Sequence, residues 1–231
     1  MEIEKALLKG LPVGRVLGID LSVGHLGWFS LTTGLVKRAE EFGFISQEKR
    51  DWVGGFQSAR DLGLSERLFL LGKQFEGRKR TDIYQMNRIS LWYDYFLSFA
   101  EECIYRGVVK AFVEGYAFSS QGNSLFQIGE VAGIFKAVFL KAGICVQTVP
   151  PTMAKKKAGK GNASKEFMVK AAIKEGISIP ESLIRVTGKG LFEGPGVDVA
   201  DAFWVLKAGL DTCIVENKEL AQGKRRQFRL H

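Results

Sequence analysis

Short apolar runs and longer amphipathic stretches alternate along this chain of 231 residues. Three apolar runs near its start are separated by short turns and predict a meander of β-strands at 15–20, 26–31 and 35–44. Two later apolar runs predict strands at 108–114 and 144–149, each preceded by a helical stretch. This order of elements is typical of a sheet that begins antiparallel and continues parallel.

Amphipathic spacing predicts four main helices, at about 82–106, 124–141, 164–175 and 198–210, and a short one near 65–71. The core-facing residues expected on the first two are Ile83, Met86, Ile89, Leu91, Tyr93, Phe96, Leu97 and Ala100, then Phe126, Ile128, Val131, Ile134, Phe135 and Val138. Strands that alternate with helices after a meander predict an α/β fold. We therefore expect a mixed five-stranded sheet flanked by helices on both faces.

The composition supports one domain with a normal core, since 46% of the residues are hydrophobic. We expect this domain to span 1–215, with a possible insertion at about 46–80 and a basic C-terminal tail at 216–231. No run of about 18 apolar residues predicts a membrane span, and the charged start does not resemble a secretory signal. Three widely spaced cysteines indicate reduced thiols and a cytoplasmic location, in a bacterium or a phage-infected host.

The chain is basic, with a formal net charge of +8. A polyanionic partner and simple solubility both account for such a charge. The position of the charge is more informative, because one stretch without any acidic residue contains Lys155, Lys156, Lys157, Lys160 and Lys165. Lysines grouped in this way predict contacts with phosphates.

Carboxylates end two of the predicted strands. Asp20 closes the first strand and Glu114 closes the fourth, while Asp198 and Asp201 lie three apart at the start of the last helix. Strands one and four are expected to be neighbours, and residues three apart share a helix face, so all four carboxylates can meet. Two carboxylates about 4 Å apart repel by roughly 4 kcal/mol at an effective dielectric of about 20, which favours a compensating cation.

Oxygen-only ligands favour a hard cation such as Mg²⁺, and Mn²⁺ can substitute for it. Two such ions about 3.5–4 Å apart would support phosphodiester hydrolysis. Taken singly, Asp20 also fits a turn residue, Asp198 a helix cap and Glu114 a solvated side chain. His25 is either a proton carrier near Asp20 or a surface turn residue.

Four segments in this order resemble the RuvC family of Holliday-junction resolvases, and phage-type members in particular. They are Gly18-Ile19-Asp20-Leu21-Ser22, Phe112-Val113-Glu114, the basic stretch from Pro150 to Lys165, and Asp198-Val199-Ala200-Asp201-Ala202. The resemblance implies an RNase H-like fold, a homodimer, two Mg²⁺ ions per site and paired nicks in four-way DNA. It also implies a role in DNA recombination and repair.

Carried over by position, the resemblance makes Asp20, Glu114, Asp198 and Asp201 metal ligands. It makes Lys155 and Lys165 DNA contacts near the scissile phosphate, and Lys165 part of the catalytic site. Tyr116 and Phe118 are two candidates for an aromatic side chain that stacks on bases at the junction centre. Core packing is an equally open interpretation of Phe118.

Three functions remain open from the sequence. The leading one is a Mg²⁺-dependent endodeoxyribonuclease that nicks four-way junctions. A second is a protein that binds branched DNA without catalysis, since phosphate contacts alone would explain its affinity. The third is an ATP-binding domain, because Gly18-Ile19-Asp20-Leu21-Ser22 also resembles the first phosphate motif of sugar kinases and actin. Those proteins need two related domains, and this chain has room for one.

Overall fold

The computed structural model describes residues 12–22, 25–33, 40–46, 82–115 and 123–221. Its strands are β1 (Gly14–Leu21), β2 (His25–Thr33), β3 (Glu40–Ser46), β4 (Val108–Glu114), β5 (Cys145–Val149), β6 (Arg185–Val186) and β7 (Phe192–Glu193). Its α-helices are α1 (Asp82–Tyr105), α2 (Asn123–Lys141), α3 (Pro151–Ala158), α4 (Lys165–Lys174) and α5 (Pro195–Ala221), and Glu181–Leu183 form a 3₁₀ turn. The short helix expected near 65–71 lies outside the described residues.

The main sheet has five strands in the order β3-β2-β1-β4-β5. β1 pairs antiparallel with β2 and β2 with β3, whereas β1 pairs parallel with β4 and β4 with β5. The predicted mixed five-stranded sheet is therefore confirmed, and β1 and β4 are neighbours as expected.

Helices cover both faces of this sheet and enclose two separate cores. One core lies beneath α1 and α2 and is rich in aromatic side chains, among them Trp28, Trp92, Phe96, Phe99, Phe135 and Phe139. The other lies beneath α3, α4 and α5 and includes Phe29, Phe112, Phe203 and Trp204. Because strand side chains alternate between faces, Ile19 and Val113 enter the first core, and Val16 and Phe112 enter the second.

The prediction for the inner face of α1 is partly wrong. Leu91, Phe96 and Ala100 are buried as expected, but Ile83, Met86, Tyr93 and Leu97 are exposed. The helix instead buries a face made of Tyr84, Arg88, Trp92, Tyr95, Phe99 and Cys103. Apolar residues cover most of the circumference of α1, so spacing alone could not identify the side that meets the sheet.

Other differences concern helix boundaries. Residues 151–158 form α3, although no helix was expected in this basic stretch, and Phe126 on α2 is exposed where a buried residue was expected. Helix α5 begins at Pro195 and extends to Ala221, so the boundary expected at 215/216 falls inside it. Cys103, Cys145 and Cys213 are free thiols. In the described ranges, no helix combines the length and apolar character that a membrane crossing requires.

Candidate active site

Asp20 and Glu114 lie side by side at the carboxyl ends of two adjacent parallel strands. The residues just before them, Ile19 and Val113, are paired in the register of β1 and β4. Ile19 and Val113 point into the aromatic core, so alternation turns Asp20 and Glu114 toward the opposite face, the one covered by α5. There the two carboxyl groups are close enough for the negative charge of Asp20 to raise the pKa of Glu114.

Helix α5 reaches these carboxylates because two glycines leave room for its backbone. A Cβ on Gly18 of β1 would collide with the carbonyl oxygen of Ala202 and would lie 2.6 Å from the Cβ of Leu206. A Cβ on Gly27 of β2 would lie 2.5 Å from the carbonyl carbon of Asp198. Any other residue at either position would push the helix, with its acidic side chains, away from the sheet.

Asp198 and Asp201 occupy the first two turns of α5 and differ in their surroundings. Asp198 is partly exposed and is preceded by three helical residues, so it lies inside the helix and the cap interpretation is wrong. Asp201 is 3% exposed, and its Oδ1 atom is buried without a hydrogen-bond partner. A buried carboxylate oxygen of this kind is costly unless a further positive charge or donor meets it.

Lys165 brings a positive charge into direct contact with Asp201. It is the first residue of α4, whose start is fixed by the Ser164 hydroxyl, which accepts a hydrogen bond from the Phe167 backbone N–H at 3.2 Å. The Lys165 ammonium group forms an ion pair with Asp201 Oδ2. Lys165 therefore links α4, which follows the basic stretch, to the carboxylate on α5.

Burial and neighbouring charges perturb the ionisation of Glu114, Asp201 and Lys165. Burial, with the negative charges of Asp20 and Asp201, raises the pKa of Glu114 to about 9. Burial also raises the pKa of Asp201, to about 6, although the Lys165 ammonium opposes this shift. Burial alone would lower the pKa of Lys165, but Asp201 and Asp20 outweigh it and the pKa is raised. Near neutral pH, Glu114 is therefore protonated.

His25 also faces the site, although a surface turn residue was the competing interpretation of it. It begins β2 two residues before Gly27, so both residues face α5, and its Nδ1 atom lies 3.9 Å from Asp198 Oδ2. Hydrogen bonds join Ser22 and His25: the Ser22 N–H donates to the His25 carbonyl at 2.9 Å, and the His25 N–H donates to Ser22 Oγ at 3.1 Å. His25 directly precedes the predicted strand that pairs with the strand ending at Asp20. This position in the predicted meander could have placed His25 near Asp20.

The chemistry of these donors fits a hard divalent cation. Every carboxylate at the site offers oxygen, the Asp201 Oδ1 atom lacks a hydrogen-bond partner, and burial together with the charges of Asp20 and Asp201 raises the pKa of Glu114. Among the described residues, however, no three carboxylate, imidazole or thiol groups are arranged to hold one ion directly. The ammonium group of Lys165 occupies one face of Asp201 instead.

The predicted DNA-binding lysines are divided among three environments. Lys155 on α3 is partly buried, and its positive charge opposes the rise in the pKa of Asp201. Lys157 pairs with Asp211 of α5 at 2.5 Å, and this ion pair ties α3 to α5. Lys156 and Lys160 are exposed, whereas Tyr116 and Phe118 lie outside the described residues.

The order and directions of the five strands, with helices on both faces, are those of an RNase H-like α/β fold. The yeast mitochondrial Holliday junction resolvase Ydc2 is similar in structure, with a TM-score of 0.53 and 11% sequence identity over 97% of this chain and 98% of that chain. RuvC of Thermus thermophilus in complex with a Holliday junction substrate is also similar, with a TM-score of 0.51 and 16% identity over 86% and 97% of the two chains.

No family model and no curated protein matches this sequence. The fold of the chain is that of RuvC-like proteins, as the resemblance implied.

Proposed function

We propose that this protein is a metal-dependent endonuclease that nicks branched DNA, with four-way junctions as its preferred substrate. The observation that carries the proposal is the convergence of Asp20, Glu114 and Asp201 beside Lys165 on one face of the sheet. The fold shared with two Holliday-junction resolvases supports the same substrate.

Asp20, Glu114, Asp198 and Asp201 would hold two Mg²⁺ ions, or Mn²⁺ in their place. When bound, the ions supply positive charge that stabilises the attacking and leaving oxygens of phosphodiester hydrolysis. Both oxygens of Asp201 become available to a metal ion only when the Lys165 ammonium group leaves Asp201 Oδ2. A DNA phosphate would be an alternative ion-pair partner for that ammonium group. Lys155, Lys156 and Lys160 would then follow the backbone of the bound arm.

Glu114 has a specific part in this scheme. Its proton must leave before it can act as a ligand, because ligating carboxylates are deprotonated. Burial and the neighbouring carboxylates hold that proton in place near neutral pH. Binding of Mg²⁺ would therefore release protons, and affinity for the ion would increase with pH.

The ion pair between Lys165 and Asp201 also favours a second candidate, a branched-DNA-binding protein without catalysis. In that case lysine, and not a metal ion, would neutralise the buried carboxylate. The two candidates differ in their response to Mg²⁺. A ligand that binds only the folded state raises the melting temperature of a protein. Mg²⁺ should therefore raise the melting temperature of a metal-dependent enzyme and leave that of a protein that only binds DNA unchanged.

The decisive experiment incubates the protein with end-labelled four-way, forked and linear duplexes of matched sequence, with Mg²⁺ and with EDTA. We expect symmetric nicks in the four-way substrate with Mg²⁺ and none with EDTA. Nicks of equal rate in the linear duplex would contradict the preference for junctions. If the protein binds junctions but makes no nicks with either Mg²⁺ or Mn²⁺, it is a DNA-binding protein without catalysis.

We further propose that the active form is a homodimer that associates through α1. An outward-facing seam on this helix consists of Ile83, Met86, Ser90, Tyr93 and Leu97, which follow the three-four spacing of a coiled coil, and of Ile104 seven residues further on. Its five apolar members are 40–69% exposed. Tyr93, Leu97 and Ile104 also line a groove of about 270 Å³ between α1 and α2, with Glu101 on one side and Lys141 on the other. Opposite charges flanking an apolar groove suit a two-fold pairing of identical surfaces.

A further inference from the structure

His25 is anchored on both sides by the main sheet. It is the first residue of β2, where its backbone is paired with Ser46 of β3 in the register of the sheet. Hydrogen bonds also join its backbone to Ser22, which directly follows β1. The strands on either side therefore hold the backbone from which the imidazole ring projects toward α5.

Asp198 is held opposite His25 by the close approach of α5. Gly27 and His25 are two residues apart in β2, so both face this helix. A Cβ on Gly27 would lie only 2.8 Å from the Cβ of Asp198, which shows how near the helix passes. The position of Asp198 relative to the imidazole is thus determined by two packed backbones and not by the side chains alone.

The separation of the two side chains fits a shared metal ion better than a hydrogen bond. His25 Nδ1 lies 3.9 Å from Asp198 Oδ2. Hydrogen bonds of this kind end at about 3.2 Å. Two donors that bind one ion at about 2.1 Å each lie about 3.0–3.5 Å apart as neighbouring ligands, and at most about 4.2 Å apart. A closure of less than about 1 Å would therefore let one ion bind both atoms.

The pair belongs to the same centre as the other candidate ligands. Asp20 is paired with Gly27 in the register of β1 and β2, so it lies on the face that His25 also occupies. Asp201 follows Asp198 by three residues on the same side of α5, and its Oδ1 atom is buried without a hydrogen-bond partner. The side chains of His25 and Asp198 are 34% and 22% exposed, so an ion with its water shell can reach both.

A nitrogen donor changes which ion such a site selects. Carboxylate oxygens suit Mg²⁺, whereas an imidazole nitrogen favours first-row transition ions. Because no three protein donors in the described part of the chain surround one point, water or phosphate oxygens would complete the shell. One or two protein ligands with several waters are usual for ions of this size.

We propose that His25 is a nitrogen ligand that shares one ion with Asp198, and that it makes this position selective for a first-row transition ion such as Mn²⁺ over Mg²⁺. The inference rests on the proposed function, because it assumes that the carboxylates at this centre hold metal ions. A direct ion pair between His25 and Asp198 is the competing explanation of their proximity. It involves no bond between nitrogen and a metal ion, so the two explanations can be separated by experiment.

The chain has two histidines, which makes the test specific. Electron spin echo envelope modulation of Mn²⁺ bound to the full chain detects a directly coordinated nitrogen. The wild type would be compared with His25→Gln and with His231→Gln, the matched control that removes the other imidazole. Calorimetry would measure the affinity of each protein for Mn²⁺ and for Mg²⁺, and urea denaturation would show that each variant is folded.

We expect a nitrogen signal in the wild type and in His231→Gln, and none in His25→Gln. His25→Gln should bind Mn²⁺ at least about ten-fold more weakly and Mg²⁺ less than about three-fold more weakly. Bound Mn²⁺ without a nitrogen signal in the wild type would overturn the inference, whether or not the variants fold. A signal that persists in His25→Gln, or equal losses of affinity for both ions, would overturn it as well.

The proposed function fails in a different way. A wild type that shows the nitrogen signal but nicks no junction with either ion would overturn the endonuclease and leave the role of His25 standing. A wild type that nicks junctions and binds Mn²⁺ through oxygen alone would do the reverse. If the wild type binds neither ion, both proposals are wrong.

Discussion

The two faces of the central sheet are built on opposite principles. The face beneath α1 and α2 is filled with large rings, such as Phe135 and Phe139, whose centres lie 4.2 Å apart. The face beneath α5 has glycines at its central positions, where the helix backbone comes closest to the strands. Large side chains keep a helix at a distance, whereas Gly18 and Gly27 bring one close enough for carboxylates on both elements to meet.

Alternation along the strands links the two faces. Ile19 and Val113 are fixed in the aromatic core, and the residues that follow them, Asp20 and Glu114, must then point to the glycine face. A slip of one residue would exchange the two sets and bury carboxylates among aromatic rings. The aromatic core therefore determines the register on which the acidic site depends.

The largest expected effect comes from removing one charge on the glycine face. Asp20→Asn should lower junction nicking with Mg²⁺ by about 10³-fold, because a lost metal ligand removes several kcal/mol of charge stabilisation. Stability should not fall, since the substitution relieves the repulsion between Asp20 and its acidic neighbours. Single-turnover nicking and urea denaturation would measure the two effects.

Asp211→Asn is the matched control for this variant. Asp211 lies on α5 like the candidate ligands, but its side chain is 52% exposed and pairs with Lys157 at the surface. We expect its nicking rate to stay within about three-fold of the wild type, since exposed ion pairs contribute at most about 1 kcal/mol. Full activity of Asp20→Asn would contradict the assignment of the site.

The second prediction compares two glycines. Gly18→Ala should lower the free energy of unfolding by about 3 kcal/mol, because its methyl group would overlap Ala202 and Leu206 of α5. Gly133→Ala on α2 should raise it by about 0.5–1 kcal/mol, since its methyl group meets nothing within 4 Å and alanine favours the helix. Urea denaturation would measure both, and a neutral effect of Gly18→Ala would argue against the close approach of α5.

The arrangement of the face beneath α5, with Gly18 and Gly27, could be predicted from sequence better than that of the aromatic face beneath α1 and α2. Strand ends, helix spacing and the order of elements were enough to place Asp20 next to Glu114, because they follow from local periodicity and from the handedness of crossovers. The roles of these residues remain predictions. The outward seam of α1 was misassigned, since only the packing against α2 and the sheet decides which apolar side is buried.

Two further elements were missed for local reasons. Helix α3 starts with Pro151 at its first position, a recognised start signal in a stretch for which only phosphate contacts were predicted. Strands β6 and β7 have two residues each, too few for alternation to become visible. The ion pair between Lys165 and Asp201 joins residues 36 positions apart and depends on how α4 packs against α5.

The third prediction concerns pH. The pKa of Glu114 is raised to about 9 in the folded state, so the folded protein keeps a proton that the unfolded chain has lost above its ordinary pKa of about 4.5. Stability must then fall as pH rises through this interval, by at most about 1.4 kcal/mol per unit for one proton. Asp201 adds to the fall below about pH 6, where its own raised pKa lies.

Urea denaturation in EDTA at pH 6 to 9 would measure this slope. Glu114→Gln should flatten it, because glutamine has a similar shape and no proton to lose. Glu166→Gln should keep the wild-type slope, since Glu166 is half exposed and pairs with Lys170 on the surface of α4. A wild-type profile that is flat from pH 6 to 9 would contradict a protonated, buried Glu114.

The smallest expected effect on the chemistry comes from the other face. Leu97→Glu places a charge at the centre of the seam on α1, beside Glu101. The variant should therefore be monomeric, and light scattering would measure its mass. Leu97 lies across the sheet from the carboxylates, so the rate of the first nick per subunit should stay within a few-fold of the wild type once the junction is saturated. Only the pairing of the two nicks should be lost, because each subunit would then cut independently. If Leu97→Glu remains dimeric and nicks both strands together, the association surface lies elsewhere, and the assignment of dimerisation to one face of the sheet and chemistry to the other is wrong.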